Sequence, residues 1–181
     1  VFDKFGVIRA DDMQELMSTA LLLSTLKKLP ARASFASMNI SGGETGICAD
    51  MGSAFGIHYP DFEEETLTKL RAMLPSFCTP GNPLDMTAAL CYDSDLYAEG
   101  LKVVMDDPNV EMVLIGITIQ LVVSDPTIYN IYNGVKKVVE QGYKKPIAIL
   151  PFIEGTRNGD VAEKFREIGV PILPSPKYAF S

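Results

Sequence analysis

Apolar and polar positions divide this chain into short and long blocks. Short runs of apolar or small residues, most of them bounded by Gly or Pro, occur at 33–40, 57–59, 111–121, 146–152 and 170–173. Such runs favour strands over helices. Longer segments, most with apolar residues near helical spacing, lie at about 11–28, 47–55, 63–74, 93–105, 125–141 and 160–168. The pattern therefore predicts an N-terminal helix followed by strands and helices in alternation.

This alternation, repeated about five times, predicts right-handed crossovers and a parallel sheet with helices on both faces. The predicted fold class is α/β, a doubly wound sheet of flavodoxin-like or related topology. We expect residues 1–30 to form a lead-in and the N-terminal helix, and residues 31–181 to form the flavodoxin-like domain. Because the chain begins with Val rather than Met and ends abruptly, we also expect a piece of a longer protein.

Composition and charge limit the classes of partner that this chain can have. The chain has 181 residues, a net charge of −7 and 47% hydrophobic residues, which is enough for a real core. The acidic balance argues against nucleic acid or an anionic membrane as the main partner, and no apolar run approaches the roughly 20 residues that span a bilayer. Cys48, Cys78 and Cys91 are odd in number and lack metal-ligand spacing, so we expect reduced thiols in a cytosolic core.

The first candidate binding segment is the turn at residues 41–46, Ser-Gly-Gly-Glu-Thr-Gly. A strand that turns on glycine into a helix leaves the first helical N–H groups unpaired, and these groups favour an anion. The spacing matches neither the P-loop nor Gly-x-Gly-x-x-Gly. Glu44 would repel a phosphate unless its side chain faces away. The residues alone leave open an anion site or a tight turn that only packs a helix on the sheet.

The second stretch, at residues 75–87, is rich in proline and glycine, which excludes a regular helix. It is either a rigid loop with a short strand or one wall of a ligand cleft beside the glycine turn. The candidate cleft-lining residues are Asn82, Pro83, Asp85 and Thr87. Ligands of such folds bind at the carboxyl ends of the strands. There the loop at 79–87, the glycine turn at 41–46, segment 119–124 and the turn at 153–159 would share one rim.

No catalytic residue is assigned from the sequence. The chain has no Gly-x-Ser-x-Gly elbow, no Cys that pairs with a recognisable His, and no metal-ligand cluster. His58 is the only histidine. A lone histidine at a strand edge is more often structural than catalytic.

Several motifs together resemble a known family, the NDP-forming acyl-CoA synthetases, which include ADP-forming acetate–CoA ligase and are related to succinyl-CoA synthetase. In chain order these motifs are 5–12, 39–46 (Asn-Ile-Ser-Gly-Gly-Glu-Thr-Gly), 74–75 followed by 81–87 (Gly-Asn-Pro-Leu-Asp-Met-Thr), 106–108 (Asp-Asp-Pro) and 145–146 (Lys-Pro). The resemblance covers nearly the whole chain and is to the flavodoxin-like ligase domain of these enzymes.

The resemblance implies a domain of an enzyme that joins a carboxylic acid to coenzyme A, using a nucleoside triphosphate and Mg, through an acyl phosphate and a phosphohistidine. It implies a helix whose amino end faces the phosphohistidine. The phosphate-binding residues would then be Ser41, Gly42, Gly43, Glu44, Thr45 and Gly46. CoA-binding and nucleotide-grasp domains or subunits would be partners in a cytoplasmic oligomer, and this chain alone would bind no cofactor.

The chain departs from this family in two places. Glu44 stands where the family's turn is more glycine-rich or apolar, and the family's His-Thr-Gly motif is absent, since Tyr59 and Pro60 follow His58. We therefore expect the isolated chain to be inactive. Two other functions stay open: a non-catalytic flavodoxin-like interaction or regulatory module, and a flavin or nucleotide binder.

Overall fold

The centre of the fold is a parallel sheet of four strands, seen in a computed structural model that describes residues 2–26, 29–30, 32–120, 122, 126–153 and 157–180. The strands are β1 (Phe35–Asn39), β2 (Leu84–Asp85), β3 (Met112–Gly116) and β4 (Ile147–Leu150). Their spatial order is β2-β1-β3-β4, and every neighbouring pair is parallel. This is the order of a flavodoxin-like sheet, so the predicted fold class is confirmed.

Seven α-helices are described around this sheet. They are α1 (Met13–Thr25), α2 (Gly42–Phe55), α3 (Glu64–Met73), α4 (Ser94–Asp106), α5 (Thr127–Glu140), α6 (Gly159–Glu167) and α7 (Pro176–Phe180). Side chains of Asp12, Asp93 and Asn158 accept hydrogen bonds from the first backbone amides of α1, α4 and α6, which explains where these helices begin. None of the described helices combines the length and apolarity that crossing a bilayer requires.

Alternate residues of β3 pack into two separate hydrophobic clusters, one on each face of the sheet. In β3, Val113 and Ile115 point to a large cluster built with α3, α4, α5 and α6. Met112 and Leu114 point to a smaller cluster on the other face, with residues of α1, α2 and α7. All five residues of β3 are buried, as its uninterrupted apolar run predicts for a central strand.

The predictions of strands at residues 57–59 and 170–173 are wrong. Residues 57–59 form only a single parallel bridge, between Ser34 and His58, and residues 170–173 form only a bridge between Ile149 and Ile172. The sheet edge beside β1 is instead occupied by β2, from the proline-rich loop. Proline limits both runs, because it has no N–H for a ladder: Pro60 directly follows the first run and Pro171 lies within the second.

Several element boundaries also differ from the prediction. β3 ends at Gly116 rather than continuing to residue 121, and α2 begins at Gly42 rather than near Ile47. The predicted ends of two helices, at Lys27–Lys28 and Asp125, lie outside the described residues. All three cysteines are free; Cys48 and Cys91 are buried and Cys78 is half-buried.

Candidate functional site

The turn between β1 and α2 is held by a reciprocal pair of hydrogen bonds. Ser41 is the N-cap of α2, and its Oγ accepts from the Glu44 amide at 3.4 Å. In return, Glu44 Oε2 accepts from the amides of Ile40 at 3.1 Å and Ser41 at 3.2 Å. This capping box starts the helix five residues earlier than the apolar pattern predicts. It also turns the Glu44 side chain back toward the end of β1 and away from the open end of α2.

The open end of α2 presents two free donors. The N–H groups of Gly42 and Gly43, the first residues of the helix, have no acceptor within the described part of the chain. Thr45 Oγ1 donates to the Ser41 carbonyl at 2.9 Å, and Gly46 is exposed one turn further on. The helix dipole adds positive potential at this end. Exposed backbone donors at a helix end are groups that favour an anion.

Two carboxylates shape the charge of this turn. Burial is the main cause that raises the pKa of Glu44 above its ordinary value, and the negative charge of Asp85 adds to it, while the hydrogen bonds from Ile40 and Ser41 oppose the rise. Asp85 lies against Gly42, where a Cβ atom would be 3.0 Å from Asp85 Oδ2. Asp85 therefore crowds the Gly42 side of the turn and leaves the Gly43 amide the more accessible donor.

The other candidate cleft residues are engaged locally. Asn82 Nδ2 donates to the carbonyls of Phe35 at 2.8 Å and Pro60 at 3.0 Å, and its Oδ1 accepts from the Ser37 amide at 3.2 Å. Its amide group thus binds the backbone of β1 rather than facing a cleft. The Asn82–Pro83 peptide is cis, and Pro83 is half-buried.

Thr87 also binds its own loop. Its amide donates to Asp85 Oδ1 and its hydroxyl donates to the Met86 carbonyl, both at 2.8 Å. Cys78 Sγ lies 3.3 Å from the same hydroxyl. Of the four residues predicted to line a cleft, Asp85 is the one that the structure brings beside the glycine turn.

A cavity of about 260 Å³ opens at the carboxyl edge of the sheet, next to the glycine turn. It lies between the ends of β1 and β3, where the strand order reverses, which is the ligand position of flavodoxin-like sheets. Its lining is mostly apolar and consists of Ile40, Ala88, Tyr92, Ile117, Thr118, Gln120, Thr127, Ile128 and Ile131. The sequence predicted a rim at this edge but missed this cavity. Residues 121, 123–124 and 154–156 of the predicted rim lie outside the described residues. The signal that would have found the cavity is the point where the β1 and β3 runs both end.

Beneath the turn, three buried polar side chains join β1 to α2. Ser37 Oγ donates to Asn39 Oδ1 at 3.0 Å, and Cys48 Sγ lies 3.5 Å from the same oxygen. Burial raises the pKa of the Cys48 thiol, so it stays protonated at neutral pH. No group of three or more metal-ligating side chains occurs among the described residues. The described residues offer backbone donors and an apolar cavity at this edge of the sheet.

Comparison with known proteins yields both sequence relatives and structural neighbours, although no family model matches the chain. A trans-feruloyl-CoA synthase from an unknown prokaryotic organism is 28% identical over 178 residues, 97% of this chain and 24% of its own length. The alpha subunit of an ADP-forming acetate–CoA ligase II from Pyrococcus furiosus is 28% identical over 177 residues, 97% of this chain and 37% of that subunit. An ADP-forming acetate–CoA ligase I from Archaeoglobus fulgidus is 32% identical over 113 residues, 62% of this chain and 16% of its length.

Solved structures share the fold. A Pyrococcus horikoshii protein aligns with a TM-score of 0.83 at 24% identity, over 99% of this chain and 40% of its own. An acetyl-coenzyme A synthetase from Ca. Korarchaeum cryptofilum, solved with phosphate and ADP, aligns with a TM-score of 0.80 at 17% identity, over 99% of this chain and 37% of its own. The chain thus spans well under half the length of each of these relatives and neighbours.

Proposed function

Starting from the homology of this chain to ADP-forming acetate–CoA ligases and a feruloyl-CoA synthase, we propose that it is the ligase domain of an NDP-forming acyl-CoA synthetase. Such an enzyme converts an acid, CoA and a nucleoside triphosphate into acyl-CoA, a nucleoside diphosphate and phosphate. The histidine that is phosphorylated, the CoA site and the nucleotide-grasp parts belong to other domains or subunits of a cytoplasmic enzyme.

The role that we propose for this chain is to stabilise the phosphoryl group with the amino end of α2. The observation that carries this role is the pair of open amides at Gly42 and Gly43, together with the capping bonds that turn Glu44 away from them. Fixed backbone donors at a helix end stabilise a phosphoryl group without having to reorganise during the reaction. Ser41 and Thr45 support the turn, and Gly46 continues the helix behind it.

We further propose that the adjoining cavity holds the organic part of the acid substrate. Its apolar lining would favour an uncharged chain or ring, and the acid's carboxyl group would then lie toward the glycine turn. A cavity of about 150 Å³ is enough to hold benzene in another protein, so about 260 Å³ accommodates a ring with a short side chain. Thr118 and Gln120 supply the polar groups that would orient the substrate.

The test is phosphorylation of the complete enzyme by a nucleoside triphosphate labelled at the γ-phosphate. We expect an acid-labile phosphoenzyme that disappears when carboxylic acid and CoA are added. In the Gly43→Pro variant the donor at this position is lost, while proline is tolerated in a first helical turn. We expect labelling at least about 100-fold slower, as when one oxyanion donor is removed.

Gly43→Ala is the matched control, because it keeps the N–H and its Cβ would meet nothing closer than Ser41 Oγ at 3.9 Å. Wild-type labelling rates in a folded Gly43→Pro variant would exclude the role of α2. CoA ligation that proceeds without any phosphoenzyme would exclude the phosphohistidine route.

A second function, a non-catalytic interaction or regulatory module, is favoured by one observation. Glu44 and Asp85 place two carboxylates at the turn, and their charges oppose an approaching phosphate. In that case the complete protein would neither form a phosphoenzyme nor ligate CoA to any acid, and Glu44→Gly would leave its function unchanged.

A further inference from the structure

Helix α1 packs one face against the rest of the domain and exposes an apolar face to solvent. Leu22 and the C-cap residue Leu26 pack against the smaller core cluster, and Ser18 on the same side is buried. On the opposite side, a row of apolar residues is exposed. The row comprises Met13, Leu16, Met17, Ala20 and Leu23, and its four large side chains are between 42% and 70% exposed.

The spacing of this row is that of a helix seam. Met13, Leu16, Ala20 and Leu23 follow each other at intervals of three, four and three residues, as the a and d positions of a heptad do. Single exposed apolar residues are normal on protein surfaces, but a continuous row along one helix face marks an interaction site. We call these five residues the α1 seam.

We propose that the α1 seam is the contact surface for an apolar helix of another domain of the same enzyme. This inference rests on the proposed function, since it takes the chain to be one domain of a larger synthetase. The chain spans 24% and 37% of two relatives that it matches over 97% of its own length, so most of each relative lies outside the matched domain. A helix from that remaining part, with apolar residues at the same spacing, fits the seam.

The size of the seam favours this occupant over a second copy of the chain. Fully burying an aliphatic side chain removes about 60–120 Å² of apolar surface from water. Five side chains then bury at most about 600 Å² on this side, below the roughly 800 Å² per partner of a standard stable interface. A contact within one enzyme needs less area, because the link between domains raises the effective concentration of the partner helix.

The test uses the complete enzyme with Leu16→Glu and, separately, Ala20→Glu, each of which puts a charge into the seam. Both positions are exposed in this domain, so the domain itself should keep its melting temperature. We expect a larger radius of gyration in solution scattering and at least about tenfold faster proteolysis between domains. Gln14→Glu introduces the same residue at an exposed position off the seam and should change neither quantity.

Three outcomes would overturn the inference. The first is a seam variant that behaves like Gln14→Glu. The second is hydrogen exchange of the α1 amides in the complete enzyme as fast as in an exposed helix. The third is a halved particle mass in the seam variants, because it would assign the surface to a second copy. The readouts do not involve activity. Absence of a phosphoenzyme with intact domain packing would therefore count against the proposed function alone.

Discussion

The side-chain oxygen of Asn39 fills the space beside Gly116, so that a Cβ atom on Gly116 would lie 2.0 Å from Asn39 Oδ1. Asn39 is completely buried, and its oxygen accepts a hydrogen bond from Ser37. Phe152 Cε2 crowds the same space, since it would lie 2.9 Å from that Cβ atom. Glycine at the end of β3 is therefore needed for β1 to carry its buried asparagine.

Gly116→Ala should destabilise the protein by about 1–3 kcal/mol, because the added methyl group overpacks this buried corner. Gly46→Ala is the control, since a Cβ there meets nothing within 4 Å and Ala is the better helix former by up to about 1 kcal/mol. Urea unfolding at one pH measures both. Adding Asn39→Ala to Gly116→Ala should recover part of the loss, and strict additivity of the two changes would contradict the clash.

Asn82→Asp should destabilise the protein by about 2 kcal/mol or more. The substitution keeps the shape but replaces two donated hydrogen bonds with a carboxylate oxygen facing the carbonyls of Phe35 and Pro60. Asn133→Asp, on the exposed side of α5, makes the same chemical change and should stay within about 0.5 kcal/mol. Equal unfolding midpoints for the two variants would show that the Asn82 bonds contribute nothing.

Glu44→Gln should change how stability depends on pH. Burial raises the pKa of Glu44 above its ordinary value of 4.5, so the folded state binds this proton more tightly than the unfolded state. The resulting stability is present below pH 4.5 and is lost as pH rises through the folded-state pKa. The stability of the wild type relative to Glu44→Gln should therefore fall over this range, as measured by urea unfolding at a series of pH values.

Glu65→Gln gives the opposite sign and serves as the comparison. The hydrogen bond from Lys69 lowers the pKa of Glu65, so wild-type stability relative to this variant should rise with pH, by a small amount because the pair is exposed. A flat profile for Glu44→Gln would mean that its carboxylate is as well solvated in the folded protein as in the unfolded chain.

Ile128→Phe should narrow the acid specificity of the complete enzyme, if the cavity holds the organic part of the substrate. Ile128 lines that cavity, and a larger ring there reduces its volume. We expect kcat/KM for acids with an aromatic ring to fall at least about tenfold, against less than about threefold for acetate. Ile168→Phe, in a separate cavity at the amino edge of the sheet, should affect both acids equally.

The order and type of the main elements were predictable because most long blocks have helical spacing and because β3 and β4 are unbroken apolar runs. β3 and β4 are buried on both faces, so their sequences need no alternation and are easily recognised. The runs at 57–59 and 170–173 are shorter, and proline follows the first and lies within the second. Whether such short runs pair depends on which strand lies beside them, and local composition does not indicate this.

The site was only partly predictable, because its parts come from distant positions in the chain. Gly42 and Gly43 are adjacent in sequence, so the local pattern was enough to locate the turn. The direction of the Glu44 side chain depends on the capping box, and the cavity depends on β1 and β3 becoming neighbours across more than 70 residues of sequence. Asn82 likewise binds Phe35, 47 residues earlier in the chain. Local patterns do not report such pairings.

The hydrogen bonds of Asn82 have a further consequence for self-association. β2 covers only the carboxyl half of β1, so the amino half of this strand would be an open sheet edge. Asn82 occupies the carbonyl of Phe35 and the amide of Ser37, while the His58 carbonyl accepts from the Phe35 amide at 3.4 Å. These are the groups that a strand from another molecule would need. Asn82 and the His58 carbonyl together leave these groups paired, which disfavours edge-to-edge pairing without another strand.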